Sequence, residues 1–316
     1  MTGKILITPK SFRNYKQKTY PLLTDIGYEI LENNLGRTMT ESEIIEYAKK
    51  DVVGLIIGID PLSASVLEQL KDLKAISKYG VGMDNIALDR ASELGIKVKN
   101  AVGTNNISVA ELAIAFMFTM ARGIPVNAAG VRNGSWGRSM GFELTGKKLG
   151  LAGGGQIGRE VAKRARGLEM DVTIYDPYFN DHDFLSKYGV NKCENLAVLL
   201  RESDIVSLHV PATAETRNMI NRDTLSLMKN TALLINTSRG ELVDEQALYD
   251  ALSAGKLAGA AQDVFSSEPP DKDEKLLKLD NFILTPHIGA YTAEAVEKMA
   301  LVSTHNLLEM LGHRDS

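Results

Sequence analysis

A glycine-rich run, Gly153-Gly154-Gly155-Gln156-Ile157-Gly158, stands between a strand-like and a helical segment and constrains the middle of this chain more than any other feature. Before it, Lys148-Leu149-Gly150-Leu151-Ala152 reads as a short apolar strand. After it, Arg159-Glu160-Val161-Ala162-Lys163-Arg164-Ala165 reads as a helix. A second strand-like run, Asp171-Val172-Thr173-Ile174-Tyr175, then ends at Asp176, eighteen residues past the last glycine. Strand, glycine turn, helix, strand and terminal acid at this spacing form the βαβ unit that cradles a dinucleotide. Gly153 permits the tight turn, Gly155 lets backbone approach a pyrophosphate, and Gly158 lets the helix pack closely on the sheet. Gln156 and Ile157 open the helix, whose free N–H groups and positive dipole end serve the phosphates. Asp176 can accept hydrogen bonds from both ribose hydroxyls and would repel a 2′-phosphate, so the unit predicts NAD rather than NADP.

At 316 residues the chain exceeds what one hydrophobic core usually serves, so two domains are expected. A net charge of -4 leaves no basic footprint for nucleic acid or an anionic membrane. The single cysteine, Cys193, rules out an intramolecular disulfide and suits a reducing cytoplasm. The opening run Met1-Thr2-Gly3-Lys4-Ile5-Leu6-Ile7-Thr8 is too short in apolar residues for a signal peptide. The longest apolar stretch, residues 109–121, contains Glu111 and Thr119 and is too short to span a bilayer. A protein of the cytoplasm, with no membrane or nucleic-acid partner, is the expectation.

Because the glycine loop lies near mid-chain, another unit must precede it. Strand-like runs at residues 4–8, 52–57, 73–77 and 97–99, separated by helical stretches such as 63–70 and 84–94, predict a parallel sheet covered by helices. After Asp176 the alternation resumes, with strands expected at 205–209, 232–236, 259–263 and 282–284. Each ends near polar residues, where open α/β sheets gather their ligands. Between the units, Ser108 and Glu111 fit a capping box that starts a helix. The following Leu112-Ala113-Ile114-Ala115-Phe116-Met117-Phe118 is apolar on all faces and is expected to be buried between domains or in a subunit interface. Residues 292–312 form a long helical pattern that can return to the first domain. The expected division is therefore 1–100 with 288–316, and 101–287 as an insertion, with two crossings that define a hinge and a cleft. A homodimer is expected through the 109–121 helix of the inserted domain.

Three polar residues follow strands of the second unit: Arg239 in Asn236-Thr237-Ser238-Arg239-Gly240, Glu268 in Ser266-Ser267-Glu268-Pro269, and His287 in Thr285-Pro286-His287-Ile288-Gly289. In this order, behind the glycine loop, they resemble the D-isomer-specific 2-hydroxyacid dehydrogenases. The resemblance runs from Tyr79-Gly80-Val81-Gly82-Met83-Asp84-Asn85 to His287-Ile288-Gly289. It implies two doubly wound parallel-sheet α/β domains, a Rossmann cofactor domain inserted into a flavodoxin-like substrate domain. Reducing a 2-keto acid needs a hydride and a proton for the forming alkoxide. His287 is the fitting proton donor, Glu268 would favour and orient its imidazolium, and Arg239 can hold the substrate carboxylate. Relatives that oxidise formate carry Gln in place of this Glu, so Glu268 speaks for a hydroxy or keto acid.

The resemblance also implies roles for other positions. His209-Val210-Pro211 and Thr216 match a segment lining the adenosine and pyrophosphate side, and Thr237 and Ser238 approach the nicotinamide ribose. Asp263 resembles the aspartate that binds the nicotinamide carboxamide, and Gly289 also falls on the cofactor side. Val81, Gly82 and Asn105 match substrate-side loops. No residue is assigned to a metal. The chain reads nearest to the 3-phosphoglycerate dehydrogenases, through Asp84-Asn85, Trp136-Gly137-Arg138 and Glu143-Leu144-Thr145-Gly146-Lys147. One departure matters: where such enzymes often carry Arg-Ser, this chain has Ile57-Gly58-Ile59-Asp60, so a phosphate would need Lys10, Arg13, Lys78 or Arg138. Glyoxylate, hydroxypyruvate and larger keto acids are the alternatives. With no sequence after residue 316, feedback through a serine-sensing regulatory domain is not expected. A reading of another class, an NAD-sensing co-repressor, is opposed by the lack of long polar tails or a basic recruiting segment.

Overall fold

The computed structural model describes residues 3–313. Its first half alternates β1 (Lys4–Ile7), α1 (Lys16–Thr24), β2 (Glu29–Glu32), α2 (Glu41–Tyr47), β3 (Val52–Ile57), α3 (Ala64–Gln69), β4 (Ala75–Lys78), α4 (Leu88–Glu93) and β5 (Lys97–Asn100). The five strands pair in parallel in the order β2-β1-β3-β4-β5. Alternation along the central strands separates two cores: Leu6, Leu55, Ile57 and Ile76 enter one, while Ile5, Ile7, Ile56 and Ala75 enter the other. Burial on both faces is why β3 reads as a nearly unbroken apolar run. The edge strands β2 and β5 carry Glu29, Glu32, Lys97 and Lys99, which discourages further pairing.

One expectation here is corrected, and one helix is added. The helix expected at 84–94 covers only Leu88–Glu93, because Asn85 donates to Gly58 O and Asp60 O and Ile86 bridges Leu62. The unforeseen α2 is set by Thr40, whose hydroxyl accepts from Glu43 N while Glu43 Oε2 accepts from Thr40 N at 2.8 Å.

The second stretch begins with α5 (Asn106–Ala121) and α6 (Ile124–Arg132). It then runs through β6 (Lys148–Ala152), α7 (Gln156–Gly167), β7 (Asp171–Tyr175), α8 (His182–Tyr188), β8 (Asn191–Cys193), α9 (Leu196–Glu202) and β9 (Ile205–Leu208). Last come α10 (Arg222–Leu225), β10 (Leu233–Asn236), α11 (Glu245–Ser253), β11 (Gly259–Gln262) and β12 (Phe282–Leu284). Its parallel sheet has the order β12-β11-β10-β9-β6-β7-β8. The winding reverses between β6 and β9, and the crevice at their C-terminal ends is where such sheets bind ligands.

Ser108 does not cap α5, which starts two residues earlier at Asn106. Its hydroxyl is buried and donates to Gly289 O, while Glu111 lies outside and pairs with Arg164 at 3.1 Å. Nor is α5 enclosed on all faces. Val109, Ala110, Ala113, Phe116 and Met117 are buried as it packs on α7, β10 and β11, whereas Ile107, Glu111, Ala115 and Phe118 form an exposed stripe.

The final helix, α12 (Ala293–Met310), is capped by Thr292, whose hydroxyl accepts from Ala295 N at 3.2 Å. It packs on α1, β3, β4 and β5, and Leu307 lies against Gly54. The described residues thus form two compact units, one taking those up to Asn105 and from Ala290 onward, the other Asn106–Gly289. The crossings lie a few residues beyond those expected. Ala101 N bonds Gly80 O at 2.8 Å and Lys298 bonds Gly103 O at 3.2 Å within the first unit, while residues 287–289 are tied to Asp263 in the second. Among the described residues no single helix is long and apolar enough to cross a membrane.

Candidate active site

The cradle at the end of β6 is shaped by what glycine leaves out. Gly153 has φ +110°, and a Cβ there would meet His209 O at 2.4 Å; one on Gly158 would meet Gly153 O at 2.1 Å. Both positions therefore exclude side chains. A Cβ on Gly155, by contrast, would meet nothing within 4 Å, and α7 starts there without a side-chain cap. An open space at an uncapped helix start fits a pyrophosphate. Asp176 closes the far side, with Oδ2 accepting from Gly154 N at 2.8 Å and Oδ1 from Tyr178 N at 2.9 Å. The residues present fit NAD.

Several positions assigned from sequence carry structural duties as well. Ile157 packs into the core, and Gln156 accepts from Asn106. Val210 lies beside Gly153. The Thr216 hydroxyl donates to Pro211 O at 2.6 Å, stapling its own loop. The Ser238 hydroxyl donates to Leu208 O at 2.8 Å, while the buried Thr237 hydroxyl has no partner among the described residues. His209 shares a 2.9 Å hydrogen bond with Ser207, and burial pushes its imidazole down to about 3. Burial therefore favours the neutral ring, whose Nδ1 has no partner among the described residues.

The three residues placed after strands of the second unit converge in part. His287 Nδ1 lies 2.8 Å from Glu268 Oε2, and Glu268 Oε1 accepts from Phe265 N at 2.9 Å. Burial alone would raise the Glu268 carboxyl; the hydrogen bond and charge of His287, the Phe265 N–H and the Arg239 charge outweigh it and hold the carboxyl below its ordinary value. Arg239 is part of this electrostatic field, and its Nη1 donates to Ser238 O at 2.7 Å. His287 is partly exposed and has φ +53°, a left-handed backbone uncommon for a non-glycine residue.

Asp263 explains how that backbone is held, a role the sequence reading missed. Its buried carboxylate accepts from the Thr285 hydroxyl, from Ile288 N at 2.8 Å and from Gly289 N at 2.7 Å, while Asp263 O accepts from His287 N at 2.9 Å. Ser108 grips Gly289 O from the other side. The available signal was the Ile288-Gly289 pair, which follows a strand and a proline and needs acceptors for its N–H groups.

Val81, Gly82 and Asn105 belong to the other unit. Val81 O accepts from Asn100, and Asn105 Oδ1 is buried without a partner among the described residues. Of the four cations named for a phosphate, two are committed. Lys78 is buried and donates to Gly58 O and to Asn85 Oδ1 at 2.7 Å. Arg13 pairs with Glu32 at 2.9 Å and donates to Asn33 O. Lys10 and Arg138 are exposed. Among the described residues no cluster of His, Cys, Asp and Glu could hold a metal.

Comparison with known proteins agrees with this geometry. The model of the D-isomer specific 2-hydroxyacid dehydrogenase NAD-binding domain matches residues 114–289, just over half of the chain. A hydroxypyruvate reductase from Thermotoga maritima is 38% identical over 301 residues, spanning 94% of this chain and 95% of its own. A D-3-phosphoglycerate dehydrogenase from Methanocaldococcus jannaschii is 40% identical over 285 residues, covering 90% of this chain but 54% of its own, so the chain spans about half the length of that relative. The solved structure of D-lactate dehydrogenase from Escherichia coli superposes with a TM-score of 0.81 at 30% identity, covering 94% of this chain and 93% of that one. The chain belongs to the D-isomer specific 2-hydroxyacid dehydrogenase family, and NAD is the cofactor of the matched domain.

The sign of the Asp263 shift yields a prediction. Burial pushes its carboxyl up, against the pull of Thr285, Ile288, Gly289 and the His287 charge. A carboxyl raised on folding contributes stability below its unfolded pKa and loses it as the pH rises through the folded one. Asp263→Asn should therefore leave global stability at neutral pH within about 1 kcal/mol, the charge relief offsetting a lost acceptor. Amide hydrogen exchange at Ile288 and Gly289 should nonetheless accelerate by about tenfold or more, as local opening becomes easier. Unchanged exchange at both amides would show that the carboxylate does not hold the loop.

Proposed function

We propose that the chain is an NAD-dependent dehydrogenase interconverting a D-2-hydroxy acid and its 2-keto acid. The observation that carries this reading is the His287–Glu268 pair at the 2.8 Å hydrogen bond. Bound in the glycine cradle, NADH supplies the hydride for reduction; the chain supplies the rest. Glu268 fixes the imidazole through Nδ1, which leaves Nε2 to give a proton to the forming alkoxide and to take it back in oxidation. Arg239 holds the substrate carboxylate and stabilises charge on the keto oxygen. Asp263 and Ser108 keep the His287 loop in shape, and Val81, Gly82 and Asn105 serve the substrate side.

3-Phosphoglycerate is the first substrate reading, supported by the curated relative named for it. A second reading, hydroxypyruvate or glyoxylate, is favoured by the engagement of Lys78 and Arg13 within their own unit. NADH oxidation with 3-phosphohydroxypyruvate, hydroxypyruvate and glyoxylate decides between them, and turnover of no 2-keto acid in a broader panel would leave the co-repressor reading. The lone Cys193 supports a cytoplasmic setting.

A homodimer is part of the same proposal. Residues 122–143 are almost wholly exposed, α6 buries no residue, and Ile124, Val126, Val131, Trp136 and Met140 stand open beside Phe118 of α5. So many exposed apolar side chains in one stretch support an interface there. Sedimentation at micromolar concentration should give a dimer, and Trp136→Glu should shift it toward monomer; a monomeric parent would refute the assembly.

The cofactor and the acid–base pair give two further expectations. Asp176 should favour NADH over NADPH by about tenfold or more in kcat/KM, because a 2′-phosphate would meet a carboxylate; equal efficiency would overturn this. His287→Ala should slow reduction by roughly 10²–10⁴ with NADH affinity nearly unchanged. In Glu268→Gln the imidazolium loses its carboxylate, so reduction should fall off at a lower pH than in the parent. Glu268 itself, held low, contributes stability above its ordinary value near 4.5 that is lost as the pH drops through the folded one. Overlapping pH–rate profiles would remove the acid–base assignment.

A further inference from the structure

Arg159, immediately after Gly158, joins the two halves of the cofactor cradle. Its Nε donates to Gly154 O at 3.1 Å, and its Nη1 donates to Asp181. Its guanidinium carbon lies 4.9 Å from the Phe179 ring centre and 5.2 Å from that of Phe184, two rings set edge to face. Asp181 caps α8 by accepting from Phe184 N at 2.9 Å. The loop is closed through Asp176, whose carbonyl accepts from Phe179 N at 3.1 Å and whose carboxylate accepts from Gly154 N. One side chain therefore ties the phosphate-facing glycine turn to the turn that carries the ribose-facing acid.

An ion pair about a third exposed on each side would contribute little alone. The planar fork is different: it bonds a carbonyl and a carboxylate at once while its faces meet aromatic rings, a combination lysine cannot reproduce. With its charge balanced by Asp181, the guanidinium is also not offered to a 2′-phosphate.

We propose that Arg159 is a positioning residue for the adenosine half of the cofactor, holding the α7 N-terminus and Asp176 at one fixed spacing. The inference rests on NAD being the cofactor, and the experiment keeps the two apart. Titrations of NADH, ADP-ribose and nicotinamide mononucleotide are run on the parent, Arg159→Met, Arg159→Lys and Asp181→Asn, with steady-state kinetics alongside. For Arg159→Met, the Kd for NADH and for ADP-ribose should rise together by about tenfold, and Arg159→Lys should recover only part of this. Nicotinamide mononucleotide binding should not change, and kcat at saturating NADH should stay within about twofold of the parent. Asp181→Asn keeps the capping oxygen but loses the ion pair; it should weaken ADP-ribose in the same direction and serves if Arg159→Met does not fold. Unchanged ADP-ribose affinity in a folded variant, or a loss confined to kcat, overturns the proposal. A parent that binds neither NADH nor ADP-ribose would instead overturn the cofactor reading.

Discussion

The Asp263 carboxylate, buried at the C-terminal end of β11, is the constraint on which the candidate site depends. The Ile288 and Gly289 N–H groups lie beyond the strand ladder, and together with the Thr285 hydroxyl they converge on this one side chain. Hydrogen bonds to a charged group contribute about 1.5–3 kcal/mol each, and burial pushes the Asp263 carboxyl up against them. What these bonds fix is the shape of the loop. That shape is the left-handed backbone of His287, which presents the imidazole to Glu268.

A division of labour among carboxylates follows. Asp263 holds a loop through two backbone N–H groups and the Thr285 hydroxyl. Glu268 pairs with the His287 side chain and accepts from Phe265 N, and against burial these hold its carboxyl below its ordinary value. Asp176 works through two backbone N–H groups that fix where its oxygens point. All three follow β-strands of one parallel sheet, whose C-terminal edge gathers groups distant in sequence.

What was legible in the sequence was what backbone and burial dictate. Long apolar runs such as 52–57 and 148–152 became central strands, and the glycine turn was readable because only glycine clears the contacts at Gly153 and Gly158. The short edge strands β2 and β8 were not readable, since their charged residues and partial exposure leave no apolar pattern. The Ser108 capping signal misled for a related reason: a buried hydroxyl inside a helix can serve a distant carbonyl, here Gly289 O, equally well. Hydroxyls on Thr216, Ser238 and Thr285 likewise hold loops, and spacing along the chain does not reveal a partner across a turn.

The substrate end shows why charge counted along a sequence differs from charge available in a fold. Asp60 follows β3 and is buried, accepting from the Thr8 hydroxyl and from Met39 N at 2.7 Å. Beside it, Lys78 is held by Gly58 O and Asn85, so the acid and the base nearest this loop are each satisfied internally. Asn85 still donates to Gly58 O, so a Lys78 that left for a phosphate would strip Asn85 Oδ1 of its ammonium donor, at about 1–3 kcal/mol. Lys10 and Arg138 are exposed and face no such barrier. Arg138 lies in the same open stretch as Trp136 and Met140, so its surroundings depend on whether that stretch meets a second copy.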